Sequence, residues 1–441
     1  MTNKFKSVVS VTLLASVTAV AIFAFTVKKS FIKTQAEMIS CALPVNEGCV
    51  FKTLLGFEHF DKAGITKDRA SVEAALNHGL EWMAAAQSSS GGWGAGSHSY
   101  QQVMDPHAVE ADPATTALVG MALLRNQQTN TKGKYAGNFN KAVDYLLKAV
   151  EHAPANATNI TALTDRQPQV KLGRNIDVIL TTQFLTNYLQ QAQLDSQQKQ
   201  RVNDALQKCV AMIQRSQDTD GSWKDGGWAP VLQSALANNA LESAKDAGIK
   251  VDDKVMQKSI EYQKGNYDAK TNSAITGKAA GVLLYSVSGS ARASAKEAQL
   301  AEVTIGYAKK KGTLQQTDKV NKENLVKAGM TAPEAEKYVA AYEINRAASK
   351  MAQSNTVVNG FGSNGGEEFL SYLMTGESLI VSKDNEWKKW YDQTSGRLLQ
   401  IQNNDGSWNG HHCITSPVFC TATCLLILSI DKDIDFLIKV K

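Results

Sequence analysis

Runs that alternate between polar and apolar residues are nearly absent from this 441-residue chain, which excludes an architecture of half-buried strands. No basic stripe with interleaved aromatics occurs, and the formal charge of +5 is mild, so nucleic acid is not expected as a partner. Cysteine is limited to six residues. Cys41 and Cys49 flank a short Pro-containing loop and are a possible disulfide, while Cys209 sits on a helix face and is expected to be buried. Cys413, Cys420 and Cys424 cluster near the C-terminus, and Cys413 is able to pair with either of the others. His411 and His412 beside Cys413 are zinc-donor types, but adjacent ligands are poor zinc spacing. Neither a metal nor a cofactor is expected.

Apolar residues are plentiful, at 43% of the chain, which suffices for a large core. One spelling occurs three times: Gln, three residues, Gly, one residue, Trp. The copies are Gln87 to Trp93, Gln217 to Trp223 and Gln402 to Trp408. A recurring signature of this kind marks a repeat architecture.

Each copy follows a helical stripe. Val72, Leu76, Leu80 and Met83 precede the first, and Val202, Leu206, Val210 and Ile213 the second. Trp387, Trp390, Leu398 and Ile401 carry the third less cleanly. The signature Gly ends the helix in a left-handed conformation. A second helix then opens at Asp112-Pro113, Ala229-Pro230 or Ser416-Pro417, since Pro suits the first helical position. One helix pair cannot bury its own apolar face and must stack on others. Weaker copies at Gln263 to Tyr267, at Gly360 onward and at Leu172 onward raise the expected number to about six helix pairs.

These Gln–Trp turns between helices resemble the repeat of squalene and oxidosqualene cyclases, shared in degenerate form by protein prenyltransferase beta subunits. The resemblance covers roughly residues 70–430 and implies an all-α fold, an α/α toroid of inner and outer helices around an apolar cavity. The D-x-D-D proton donor of class II cyclases is missing, because Asp218-Thr219-Asp220-Gly221 belongs to a repeat turn. The D-x-C zinc pair of the prenyltransferases is missing too. Gly365-Gly366-Glu367-Glu368 lacks the Cys of the thioester loop found on related toroids. The resemblance therefore implies the scaffold and not the reaction.

The expected organisation has residues 1–33 as a signal peptide or membrane anchor, 34–69 as a linker, 70–430 as the toroid and 431–441 as a tail. The apolar run from Ser7 to Val27, flanked by Lys4, Lys6, Lys28 and Lys29, is long enough to span a bilayer as one N-terminal helix. It predicts a domain on the exported side, held at the cell membrane. The charged, Ala-rich stretch 290–355 breaks the repeat and is expected to be a helical insertion, with a capping box at Thr331 to Glu334.

The segments between each signature Trp and its Pro-started helix are expected to share one rim. They hold His98, Asp105, His107, Glu110 and Asp112, then Asp225 and Trp228, then His411 and His412. Glu367 and Glu368 are expected to join them. Asp105, Glu110, Glu367 and Glu368 are the candidate catalytic acids, and the others are candidate rim or ligand-binding residues. Asp112 reads most simply as a helix N-cap, and Glu367 and Glu368 favour a helix dipole. Gln87, Trp93, Gln217, Trp223, Gln402 and Trp408 are structural. Two functions follow. One is a toroid that binds an apolar ligand or an envelope protein without class II cyclase activity. The other is an enzyme working by acid/base chemistry on an isoprenoid or other lipid in the cavity.

Overall fold

The computed structural model describes residues 68–382 and 384–437. The apolar run at 7–27, the segment 34–67 and the Cys41–Cys49 pair lie outside the described residues. Among the described residues no helix is long and apolar enough to cross a membrane.

Among the described residues twelve long helices build the ring: α1 Arg69–Ala85, α2 Pro113–Arg125, α3 Ala136–His152, α4 Ile176–Gln191, α5 Ser196–Arg215 and α6 Pro230–Asp246 form one half. The other half is α7 Asp253–Lys264, α8 Leu283–Lys310, α9 Ala332–Ala352, α10 Glu368–Val381, α11 Trp387–Gln400 and α12 Pro417–Leu428. The even-numbered helices pack in sequence, α2 on α4, α4 on α6, α6 on α8, α8 on α10, α10 on α12, and α12 back on α2. That closed circuit is the inner ring. The odd-numbered helices lie outside it, in the grooves between inner helices. The chain is an all-α toroid of six helix pairs, as its repeats predict. Among the described residues strand is confined to an antiparallel ribbon of two residues per strand, in which Tyr267 pairs with Ala274.

Composition separates the two rings. Every residue of α2 and α12 is buried, so these helices need no polar face. Their Ala, Thr, Ser and Gly content lets neighbours approach, as where Gly120 leaves room for the Phe184 ring. Outer helices such as α3 and α5 bury one stripe and expose the rest. Ile401 is a departure from the expected stripe: it lies beyond the last turn of α11 and is 44% exposed.

The three signature turns repeat in atomic detail. The indole N–H of Trp93, Trp223 and Trp408 donates to the carbonyl ten residues back, on Met83, Ile213 and Leu398, at 2.8, 2.8 and 2.9 Å. The backbone N–H of each Trp donates to a hydroxyl on the following inner helix, Thr116, Ser234 or Thr421, at 2.9 Å. The Gln amide of each donates across to the next outer helix. Gln87 reaches Asn138, Gln217 reaches Val255 and Gln402 reaches Ala75, at 2.9, 3.0 and 3.1 Å to the carbonyls. The last of these joins α11 to α1 and closes the outer ring. Gly91, Gly221 and Gly406 carry φ of 90°, 89° and 95°, and a Cβ on Gly221 would strike the Lys258 carbonyl.

Two expected boundaries are corrected. The stretch 290–355 is not an insertion on the ring. Its first part belongs to inner helix α8, which the small residues of Tyr285–Ala295 bury, and its last part is outer helix α9. The capping box at Thr331 is present. The described part of 431–441 is not a free tail either, because Asp431 pairs with Arg69 at 2.7 Å and Asp433 with Arg125 at 2.6 Å.

Candidate functional site at the upper rim

Each Pro-started helix begins at one end of the ring, called here the upper rim. Local capping fixes those starts. Asp112 is fully buried and accepts from the Thr115 N–H at 2.8 Å, the Thr115 hydroxyl at 2.8 Å and the Ala95 N–H at 3.0 Å. Its pKa is raised by burial, against those bonds, and its role is to hold the α2 start to the Trp93 loop. Ser416 caps α12. Gln167, in the short helix Gln167–Lys171, accepts from the Thr415 and Ser416 N–H groups at 2.8 and 3.0 Å. It pins the loop that carries Cys413.

Glu367 and Glu368 stand at the start of α10, 6% and 2% exposed. Glu367 Oε1 accepts from the Tyr285 hydroxyl at 3.3 Å, and its Oε2 has no hydrogen-bond partner among the described residues. Burial raises the Glu367 pKa, opposed by the nearby Lys171 charge. Glu368 accepts from the Gly362 N–H at 2.7 Å and from the Asn364 amide at 3.3 Å. Burial outweighs those bonds and pushes Glu368 up to about 7. Glu368, held near neutrality, can give and take a proton.

Three residues complete the cluster. Lys171 is 4% exposed and places its ammonium 3.6 Å from the centre of the Trp228 ring. Cys413 is half-buried between Lys171 and Glu367, with φ of 61°. Burial and Glu367 push its thiol up, while Lys171 pulls it down. The His98 ring lies 6.5 Å from Trp228, tilted by 59°, and burial and the Lys171 charge lower its pKa.

The expected rim residues therefore divide. Glu367, Glu368, His98 and Trp228 converge, and His411 adjoins them, with its pKa lowered by burial and by His412. His412 Nδ1 lies 2.7 Å from His411 Nε2, and both are exposed. Asp105, His107, Glu110 and Asp225 are exposed and do not converge with the carboxyl pair. Asp105 caps a short turn at His107, Glu110 pairs with Arg166, and Asp225 lies 3.9 Å from Arg174. Sequence reasoning missed Lys171 and Tyr285. It also missed Asp177, a buried carboxyl that accepts from the Ile160 and Thr161 N–H groups at 2.8 and 3.0 Å and is pushed up to about 7 by burial. No linear pattern marks these three. Among the described residues no group of three His, Cys, Asp or Glu side chains is placed to hold a metal, and all four described cysteines are free thiols.

A cavity of about 70 Å3 lies on the inner helices, with Leu118, Leu180, Leu236 and Leu370 on its apolar side. Its other side is ionic. Arg125, at the end of α2, pairs with Asp433 at 2.6 Å and Glu377 at 3.2 Å, and donates to the Leu426 carbonyl at 2.9 Å. Arg292 pairs with Glu242 at 2.9 Å and Glu377 at 3.6 Å. This paired network marks the lower end.

No protein-family model matches the chain, and no curated protein matches it. Among solved structures, the chain is similar to the apo type II terpene cyclase MstE from Scytonema at 12% identity. The alignment covers 83% of this chain and 99% of that one, with a TM-score of 0.30. At that score the likeness adds nothing to the ring traced from the chain's own contacts.

Proposed function

We propose that the chain is an exported, membrane-anchored toroid that acts by binding a protein partner at its upper rim, without class II cyclase activity. One observation carries this reading. The axial cavity, at about 70 Å3, has room for several waters, against roughly 300–1,000 Å3 for pockets that hold small-molecule ligands. An isoprenoid of cyclase-substrate size does not fit there. The rim instead presents Tyr100 and Trp228, each 63% exposed, and Met104, 42% exposed. Exposed aromatic side chains of this kind anchor protein interfaces. The Lys-flanked apolar run at 7–27 supports the membrane address.

The test is photo-crosslinking in the producing cell, with the probe at position 228 or at the outer position 199. Capture of one discrete protein from 228 and none from 199 is the expected result. Retention in the membrane fraction tests the anchor. Conversion of a linear polyprenyl substrate by the purified chain, lost in Glu367→Gln, would sink the reading in favour of a second one. That alternative is acid/base catalysis at the rim, and Glu368, held near neutrality, is the observation in its favour.

A further inference from the structure

The feature that partner binding leaves unused is a thiol set between a carboxylate and an ammonium. Cys413 lies in the loop before α12, half-buried, whereas Cys209, Cys420 and Cys424 are buried. Its loop is fixed by Gln167 and by the Thr415 hydroxyl, which donates to the Gln101 carbonyl at 2.6 Å. A left-handed φ of 61° is uncommon for a residue with a Cβ, and here the surrounding bonds hold it. A Cβ on Gly365 would lie within contact of both Glu367 Oε2 and Cys413 Cβ, so Gly365 leaves carboxylate and cysteine on a shared space.

The independent observation is Glu367 itself. It is 6% exposed, and the oxygen on the Cys413 side, Oε2, makes no hydrogen bond among the described residues. A buried carboxylate oxygen left without a donor is costly unless something else supplies one. The Ile414 N–H and the Cys413 S–H are the donors nearest the carboxylate, and Lys171 supplies the positive charge that a thiolate would need.

We propose that Cys413 is an acyl-accepting nucleophile, with Glu367 as its proton acceptor and Lys171 as its counter-charge, taking the acyl group of an activated ester or thioester. The sulfur attacks the carbonyl carbon as the S–H proton passes to Glu367. The tetrahedral adduct then collapses, the carbon–oxygen or carbon–sulfur bond to the leaving group breaks, and Glu367 returns the proton to that alcohol or thiol. The products are S-acyl Cys413 and a neutral leaving group, with no redox change. The Trp228 ring, with His98 beside it, lies over the same Lys171 ammonium. This inference goes beyond partner binding and does not depend on it.

The experiment treats the purified full chain with p-nitrophenyl acetate, follows p-nitrophenolate release, and maps the acetyl group by peptide mass. The expected result is acetylation of Cys413 ahead of every other thiol. Cys413→Ser should abolish that mark. Glu367→Gln should slow it by roughly 100-fold with no loss of melting temperature, and Glu367→Asp should restore part of the rate. Acetyl mapping to Lys171 or elsewhere, an unmodified Cys413, or Glu367→Gln reacting within about twofold of the parent would each overturn the proposal. Should Cys413→Ser fail to fold, mapping on the unaltered chain decides the question. No partner is present in the assay, so failure here is distinct from failure of the crosslinking test.

Discussion

At the lower end of the ring Glu377 lies between Arg125 and Arg292, while at the upper rim Glu367 lies beside a tyrosine, a thiol and one lysine. Both glutamates belong to the α10 region and both are withdrawn from solvent. At the lower end each carboxylate has a guanidinium within ion-pair distance, and the nearby Glu242 is held below the usual carboxylate range by Lys296 and Arg292 despite its burial. At the rim burial dominates, and Glu367, Glu368 and Asp112 all move up. A paired carboxylate is fixed in its charge and serves architecture. An under-compensated one exchanges protons in the range where chemistry is done.

Substitution at the lower end should show the larger effect. Glu377→Gln leaves two buried arginines short of negative charge and should cost about 3–5 kcal/mol, read as a lowered denaturant midpoint. A loss under about 1 kcal/mol would show that solvent reaches this network and would break the contrast between the ends.

The pH dependence comes next. Asp177 and Glu368 have folded pKa values of about 7, above their ordinary 3.8 and 4.5. An acid raised in this way keeps its proton longer in the folded state. Its stabilising contribution is complete below the unfolded value and is lost as pH rises through about 7. Stability should therefore fall by about 2–3 kcal/mol per pH unit, roughly half of it from each group, between about pH 5 and pH 6.5. Asp177→Asn should roughly halve that slope in thermal melts taken across the range, and an unchanged slope would refute the assignment.

Glu367→Gln should act in the opposite direction to Glu377→Gln. It removes a buried charge while an oxygen remains for the Tyr285 hydroxyl, so at pH 8 the melting point should hold or rise, by about 1 kcal/mol of stability. A fall comparable to that of Glu377→Gln would erase the distinction between the two ends. The smallest effect belongs to the seam. Gln402→Ala removes the bond to the Ala75 carbonyl and should cost roughly 0.5–1.5 kcal/mol, with faster amide exchange in α1.

Much of the ring was legible because its turns are local. Gln, Gly and Trp lie within seven residues, and the bonds they make reach ten residues back or to the next helix. The segment 290–355 was misread because α8 is buried by Ala, Ser and Gly rather than by large apolar residues, which removes the usual stripe. The rim carboxyls Glu367 and Glu368 were found by their place at a helix start. Asp105 and Glu110 were on the right rim but point to solvent, a difference that spacing does not encode. Lys171 and Tyr285 reach the site from other repeats, and Tyr285 meets Glu367 across 82 residues of sequence. The lower network was invisible for the same reason, since Arg125 and Asp433 are 308 residues apart.

That last separation has a meaning in time. A ribosome adding about 5–20 residues per second takes roughly 15–60 s to travel from Arg125 to its carboxylate partner. For most of that interval α1 lacks α12 and α11, the helices it packs against, and its stripe of Val72, Leu76 and Leu80 is left uncovered. A nascent chain halted before Gln402 is an unclosed spiral with a hydrophobic flank at each end. Such fragments should bind chaperones and aggregate in a way the finished ring does not, and the opening helix of the ring becomes secure only when its closing helices have been delivered.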